Sequence, residues 1–251
     1  MTGLTALVVL SGGQDSTTCL FWAKRQFDEV HAVTFNYGQR HQLEVESAKM
    51  IAAAAEVASH EIINVADCLK STSPLTSDSG LEQYEDPEQM EGVIGDRIEL
   101  TFVPMRNALF FIIAANRAIA LGCSDLVTGI CQEDNANYPD CRDVFRIRME
   151  GVITSALGLP NDAFKIWAPL MHFSKAQTVQ MAHQWSDCWE ALAYTHTGYD
   201  GKYPPTDMNH ANVLRSKGFA DANLPDPLVL RAWREHLMEL PNTSNYNKHR
   251  T

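Results

Sequence analysis

Basic side chains are scarce in this chain: 20 Lys and Arg stand against 31 Asp and Glu in 251 residues, for a formal charge of -11. That balance excludes broad electrostatic attraction to nucleic acid, and no nucleic-acid partner is expected; a local group such as Arg142, Arg146 and Arg148 would still suit a small anion. Cys19, Cys68, Cys123, Cys131, Cys141 and Cys188 lie at no paired spacing, which argues against a disulfide framework and for a reducing compartment. No secretory signal and no apolar run of membrane-spanning length is visible, so the expected location is the cytoplasm, with no membrane partner. A linker rich in Pro, Gly or Ser, an internal repeat and a low-complexity segment are missing as well, and the chain is long enough to bury one large core. The nearest thing to a composition shift is the acidic stretch Asp78 to Glu91, which reads as a mobile loop.

What is present begins with an apolar run, Leu4 to Leu10, followed directly by Ser11-Gly12-Gly13-Gln14-Asp15-Ser16-Thr17-Thr18. A strand that stops at Ser-Gly-Gly and restarts as a helix presents free backbone N–H groups to an anion. The glycines let the backbone approach closely, Ser11 and Ser16 add hydroxyls, and the helix dipole favours negative charge. Asp15 is the odd residue beside phosphate unless it orients a nucleotide or helps hold Mg²⁺. The spacing is not that of the Walker loop. Further along, Val30–Phe35, Ser59–Val65, Asp125–Ile130 and Ile166–Pro169 read as strands, and 15–25, 43–58, 107–121, 143–157 and 174–182 as helices. Such alternation predicts an α/β fold, an open parallel sheet with helices on both faces, whose ligands gather at the carboxyl ends of the strands.

The loops at those ends carry the candidate chemistry. In Asn36-Tyr37-Gly38-Gln39-Arg40-His41, Tyr37 suits covering a base, and Arg40 and His41 suit a phosphate or carboxylate; a plain polar turn is the alternative. Pro104-Met105-Arg106-Asn107 opens an alanine-rich helix. Asn107 is either an N-cap or a ligand contact, whereas Arg106, leading into an apolar helix, calls for a fixed anionic partner. The stretch Cys131 to Arg142 holds acceptors, Tyr138 and Arg142. It suits a flat polar heterocycle, or else is a solvated loop with Asp140 capping the next helix. Lys175 either reaches back to polyphosphate or is an exposed lysine.

SGGQDS resembles the PP-loop of ATP pyrophosphatases, and SGGQDSTT, TFNYGQRH, FVPMRN, YPDCRD and PLMHFSKA, in this order, resemble the 7-cyano-7-deazaguanine synthase (QueC) family from about Ala6 to Leu230. The resemblance implies an adenine-nucleotide α-hydrolase-like fold. The nucleotide unit would occupy residues 1–185, with a C-terminal helical extension over 186–251. It further implies an enzyme that uses ATP and Mg²⁺ to adenylate the carboxylate of 7-carboxy-7-deazaguanine, with ammonia as acceptor. Leu10, Ser11, Gly12, Gly13, Gln14, Asp15, Ser16, Thr17 and Thr18 would hold ATP, with Asp15, Lys175 and Arg106 as catalytic residues. Tyr37, Gln39, Arg40, Arg106, Asn107, Tyr138, Pro139, Asp140 and Arg142 would hold the deazaguanine.

The family also carries a zinc site of four cysteines, the last three spaced C-x2-C-x2-C. Here those positions read Gly198, Thr206, Asn209 and Asn212, so zinc is expected to be absent. Cys188, His196 and His210 lie nearby without a fourth ligand. Because structural zinc contributes as much as about 10 kcal/mol to a small unit, another device must hold this tail. Packing by Tyr199, Tyr203, Phe219 and Trp233, or a homodimer interface, is expected. The departure leaves the acceptor open between ammonia and a protein amine, the latter implied for relatives in antiphage gene clusters. A retired nucleotide-binding subunit is the rival from another class. A tRNA thiolase or lysidine synthetase would need a cysteine pair or a basic RNA surface.

Overall fold

The computed structural model describes residues 3–39, 42–77, 80–132 and 137–250. Five strands form one sheet: β1 (Thr5–Val9), β2 (Glu29–Asn36), β3 (Ser59–Asn64), β4 (Asp125–Val127) and β5 (Lys165–Trp167). Their order is β3-β2-β1-β4-β5, and every pairing is parallel, with Ala6 opposite Val30 on one side and Asp125 on the other. Period-two alternation sends Ala6, Val8 and Leu10 into one core and Leu7 into the other. The first core is closed by α1 (Gln14–Gln26), α2 (Leu43–Ala54), α6 (Lys175–His183) and α7 (Ser186–Ala191). The second is closed by α4 (Arg106–Ala120) and α5 (Asp143–Leu157). The open parallel sheet with helices on both faces is therefore what the chain forms.

Because β2 and β3 lie on one side of β1 and β4 and β5 on the other, the chain reverses its winding between β1 and β4. The loops leaving those two strands diverge there and open a crevice. Three departures from the sequence reading exceed two residues. The acidic stretch is not loop throughout: Asp86 accepts from Gln89 N, Pro87 takes the first helical position, and α3 runs Pro87–Ile94. Helix α2 ends at Ala54, with Glu56 in the left-handed region (φ 49°), and β4 stops at Val127.

The tail adds α8 (His210–Asp221) and α9 (Pro227–Arg234). Asn209 caps α8 by accepting from Asn212 N at 3.0 Å, and Asp226 caps α9 by accepting from Leu228 N at 2.9 Å. Phe219 is buried beside Trp189, and Tyr203 lies under the Arg231 guanidinium, 4.5 Å from ring centre to Cζ. Among the described residues no helix is long and apolar enough to cross a membrane.

Candidate active site

The loop after β1 is held by its own hydroxyls. Ser11 N donates to Ser16 Oγ (3.1 Å), the two serine hydroxyls lie 2.9 Å apart, and Thr17 Oγ1 donates to Gly13 O (2.8 Å). Thr18 Oγ1 likewise turns inward, to Gln14 O, so both threonines are buried supports rather than crevice contacts. Gly12 has φ 87°, and a Cβ there would lie 2.2 Å from Glu44 O, so only glycine lets the loop rest on the first turn of α2. Gln14 lines the crevice, and its buried Nε2 has no protein acceptor among the described residues, which leaves a donor for a ligand.

Lys175 Nζ lies 2.7 Å from Asp15 Oδ2 beneath this loop, the two side chains being 13% and 23% exposed. Lys175 is the first residue of α6, behind a Ser174–Gln177 capping box, where the helix dipole disfavours a cation. Its stem passes over Gly218, where a Cβ would sit 2.5 Å from Lys175 Cγ. A lysine kept against the dipole and given a slot through a neighbouring helix is a placed charge, not a solvated one.

The crevice, about 310 Å³, is lined by Leu10, Ser11, Gly13, Asp15 and Ser16, and by Tyr37, Gln39, Arg106, Asn107, Tyr138, Arg142 and Lys175. Arg40 lies outside the described residues. Arg106 forms no ion pair with a described carboxylate. Its Nη1 is 3.5 Å from Tyr37 Oη, its Cζ lies 5.5 Å from that ring, and the neighbouring phenols and Asp140 keep it firmly protonated against the cost of burial. The fixed anionic partner expected for it is thus not a protein group among those described, and the guanidinium faces the crevice. Tyr37 itself is core as much as lining, packed on Phe110, with its hydroxyl pushed up to about 12 by burial. Tyr138 is fixed through Thr101 and Glu99, its hydroxyl 2.5 Å from Thr101 Oγ1 and 3.3 Å from Glu99 Oε2.

Pro139 and Asp140 are not on the crevice wall. Asp140 is buried behind it, accepting from Asn107 N at 3.4 Å, so it serves the start of α4, and burial pushes its carboxyl up. It does not cap α5, whose first N–H, that of Asp143, donates to Gln132 Oε1 (3.3 Å). Arg142 donates to Gln132 O and Asn137 Oδ1, bracing its own loop.

Sequence reading missed the tail's share of the wall: His196, Thr197, Tyr199, His210 and Arg215 all line it. His196 N donates to Gly12 O (3.0 Å), joining tail to phosphate loop. The Nε2 atoms of His196 and His210 are buried without a described partner, and burial lowers both imidazoles, His210 to about 4. The only cue was their nearness to the zinc positions.

Those positions do not fit a zinc ion. Asn209 Nδ2 and Asn212 Nδ2 (2.5 Å) donate to the Asp207 carboxylate, as does Tyr199 N (3.0 Å), and Thr206 donates through N and Oγ1 to Asp200. Gly198 has no side chain, and a Cβ there would meet Asp207 Oδ1 at 2.9 Å. Two carboxylates therefore gather the N–H and O–H groups of a loop whose donor set lacks any thiolate, and among the described residues no cluster of three His, Cys, Asp or Glu could hold a metal. Dialysis against a strong chelator is expected to leave the unfolding midpoint unchanged, whereas Asp207→Ala strands three part-buried donors and costs about 2–3 kcal/mol in urea unfolding. A chelator-induced drop in the midpoint would show that a metal holds the loop instead.

The model of the family described as "Queuosine biosynthesis protein QueC" matches residues 5–223. A 7-cyano-7-deazaguanine synthase of Gloeobacter violaceus is 45% identical over 225 residues, 89% of this chain and 94% of that protein. One of Chromobacterium violaceum is 44% identical over 233 residues (92% and 95%), and one of Laribacter hongkongensis 43% over 229 residues (90% and 94%).

Proposed function

The chain belongs to the QueC family, and on that premise we propose that it uses ATP to adenylate the carboxylate of 7-carboxy-7-deazaguanine and passes the acyl group to ammonia, in keeping with the name of its relatives, 7-cyano-7-deazaguanine synthase. The observation that carries this reading is the union in one crevice of the Ser11–Ser16 loop, the Lys175–Asp15 pair and Arg106 without a protein carboxylate. Loop amides and the lysine meet the triphosphate, and Arg106 steers the substrate acid toward the α-phosphorus.

The carboxylate oxygen attacks that phosphorus, the bond to the bridging oxygen breaks, and pyrophosphate leaves with the electron pair. Lys175 and the loop N–H groups offset the charge that builds on the departing group. Neutral ammonia then attacks the acyl carbon, and AMP departs with the acyl oxygen to leave the amide. Repeating the activation on the amide oxygen, with release of a second pyrophosphate, removes that oxygen with a second AMP, and the nitrogen gives up its two protons to solvent to leave the nitrile. Mg²⁺ bound with the nucleotide would supply charge neutralisation and would need only one or two protein oxygens, for which Asp15 is the carboxylate at the loop.

Incubation with ATP, 7-carboxy-7-deazaguanine and ¹⁵N-ammonium is expected to release pyrophosphate and give labelled amide and nitrile by mass spectrometry. Pyrophosphate release with no small-molecule product, and a mass gain on an added protein, would assign the acyl group to a protein amine. Pyrophosphate release that does not depend on the deazaguanine would overturn the substrate.

A further inference from the structure

Helix α2 begins at Leu43, and its second residue, Glu44, carries a carboxyl into the crevice wall. Its backbone cannot drift, because Glu44 O sits where a Cβ on Gly12 would be, so the phosphate loop and this turn are one packed unit. Among the described residues two carboxylates line the crevice, Asp15 and Glu44, and Asp15 is bound to Lys175. The Glu44 carboxyl makes no hydrogen bond or ion pair with a described residue. The charged or titratable groups facing it are Arg106 of α4, Tyr37 after β2 and Tyr199 of the tail. Burial pushes its carboxyl up to about 7, with Arg106 pulling the other way. A carboxyl on the crevice wall with no described donor is available to accept hydrogen bonds from a ligand.

The surroundings say what kind. Tyr37, Tyr138 and Tyr199 line the same space and suit a flat ring. A carboxylate accepts two parallel N–H bonds, as from the adjacent ring N–H and amino group of an amidine, and a neighbouring guanidinium donates to oxo or carboxylate oxygens. On a guanine-type ring the two donors sit beside the 6-oxo group, and a 7-carboxylate lies just beyond it. Glu44 next to Arg106 matches that order of donors and acceptors. Asp140, an acid that the family resemblance places at the deazaguanine, is occupied at Asn107.

We propose that Glu44 reads the amidine edge of the deazaguanine ring, an inference that rests on the function proposed above and names how its substrate is chosen. Glu44 is then a specificity residue, binding in the ground state and leaving the chemistry to the phosphate loop. Pyrophosphate release by wild type and Glu44→Gln is measured with 7-carboxy-7-deazaguanine and with the analogue lacking the 2-amino group. Wild type is expected to prefer the amino compound by about 100-fold in kcat/KM. In Glu44→Gln the KM for the amino compound rises roughly 30-fold and the preference falls to within about 3-fold, while kcat and the KM for ATP stay near wild type. Glu44→Asp, which keeps the charge, retains part of the preference. A variant that loses kcat while keeping KM and preference would overturn the proposal and make Glu44 an acid–base group. Unchanged kinetics would overturn it too. Should wild type release no pyrophosphate with either compound, the functional reading fails separately, and calorimetric titration of the two ring compounds into both proteins without ATP still decides the inference. Equal affinities for wild type and Glu44→Gln would sink it.

Discussion

Lys175→Met is expected to slow pyrophosphate release by about 10²–10³-fold with little change in the KM for the deazaguanine. Three observations set that magnitude. The lysine stands at the first position of α6, where the dipole opposes it, so its presence is not explained by helix stability. Its stem fills the slot over Gly218, which fixes where the ammonium sits. That ammonium is 2.7 Å from Asp15, in the second position of α1, so cation and phosphate loop are mechanically joined. The charge that needs stabilising in adenylation is the one growing on the departing pyrophosphate. A fixed cation already desolvated beside it gains more in the transition state than in the ground state.

Asp15→Asn frees the lysine but releases it from its mark, and a smaller loss is expected. The two substitutions together should cost little more than Lys175→Met alone, because they act as one unit. Stopped-flow detection of pyrophosphate at saturating ATP checks all three variants. Additive losses would show that Asp15 and Lys175 work separately, and an active Lys175→Met would remove the lysine from the chemistry.

Much of this was legible in the residues. Leu4–Leu10 followed by Ser-Gly-Gly names both a buried strand and the break after it, because the burial of a central strand on both faces and the close approach at Gly12 each leave a mark in composition. Arg106 was legible as a cation in search of an anion, because an apolar helix gives it no other reason to be there. What escaped was set by tertiary context. Asp140 and Glu44 are both acids near a helix start, and no local pattern says that the first turns back to Asn107 while the second lines the crevice. Helix α3 was hidden by its acidic flank, although Asp86-Pro87 is a start signal in plain view. In the tail, asparagines viewed as lost cysteines obscured their other role: Asn209 caps α8, and Asn212 is the residue whose N–H it receives.

What fastens that tail is the subject of the second large effect. Arg215→Met is expected to destabilise the protein by about 3–5 kcal/mol, lowering the unfolding midpoint by roughly 10 °C. Arg215 Nε and Nη2 donate to the two oxygens of Asp226 at 2.6 and 2.8 Å, and Nη1 donates to Thr195 Oγ1 and Thr197 Oγ1, each at 2.8 Å. Both charged side chains are only 5% exposed. Removing the guanidinium strands a buried carboxylate, two hydroxyls and the capping geometry of α9, since Asp226 also receives Leu228 N. Asp226 N in turn donates to the buried Tyr246 hydroxyl, so the last turn of the chain hangs on the same residue.

The exposed pair Arg25–Asp187, 31% and 55% exposed, supplies the contrast: Arg25→Met should cost less than about 1 kcal/mol. Pairing Arg215→Met with Asp226→Asn, which keeps a cap but removes the stranded charge, should cost less than the sum of the single changes. Because Thr195 and Thr197 flank His196, whose N–H reaches Gly12 O, loosening this clasp also loosens the phosphate loop from the tail side. Activity in Arg215→Met should therefore fall at temperatures well below its unfolding midpoint, whereas Asp207→Ala, which breaks the neighbouring loop without touching that link, should lose stability with a smaller loss of turnover. Equal activity losses at equal destabilisation would mean that the tail acts on the crevice only through overall folding, and not through the Thr195–Thr197 strap.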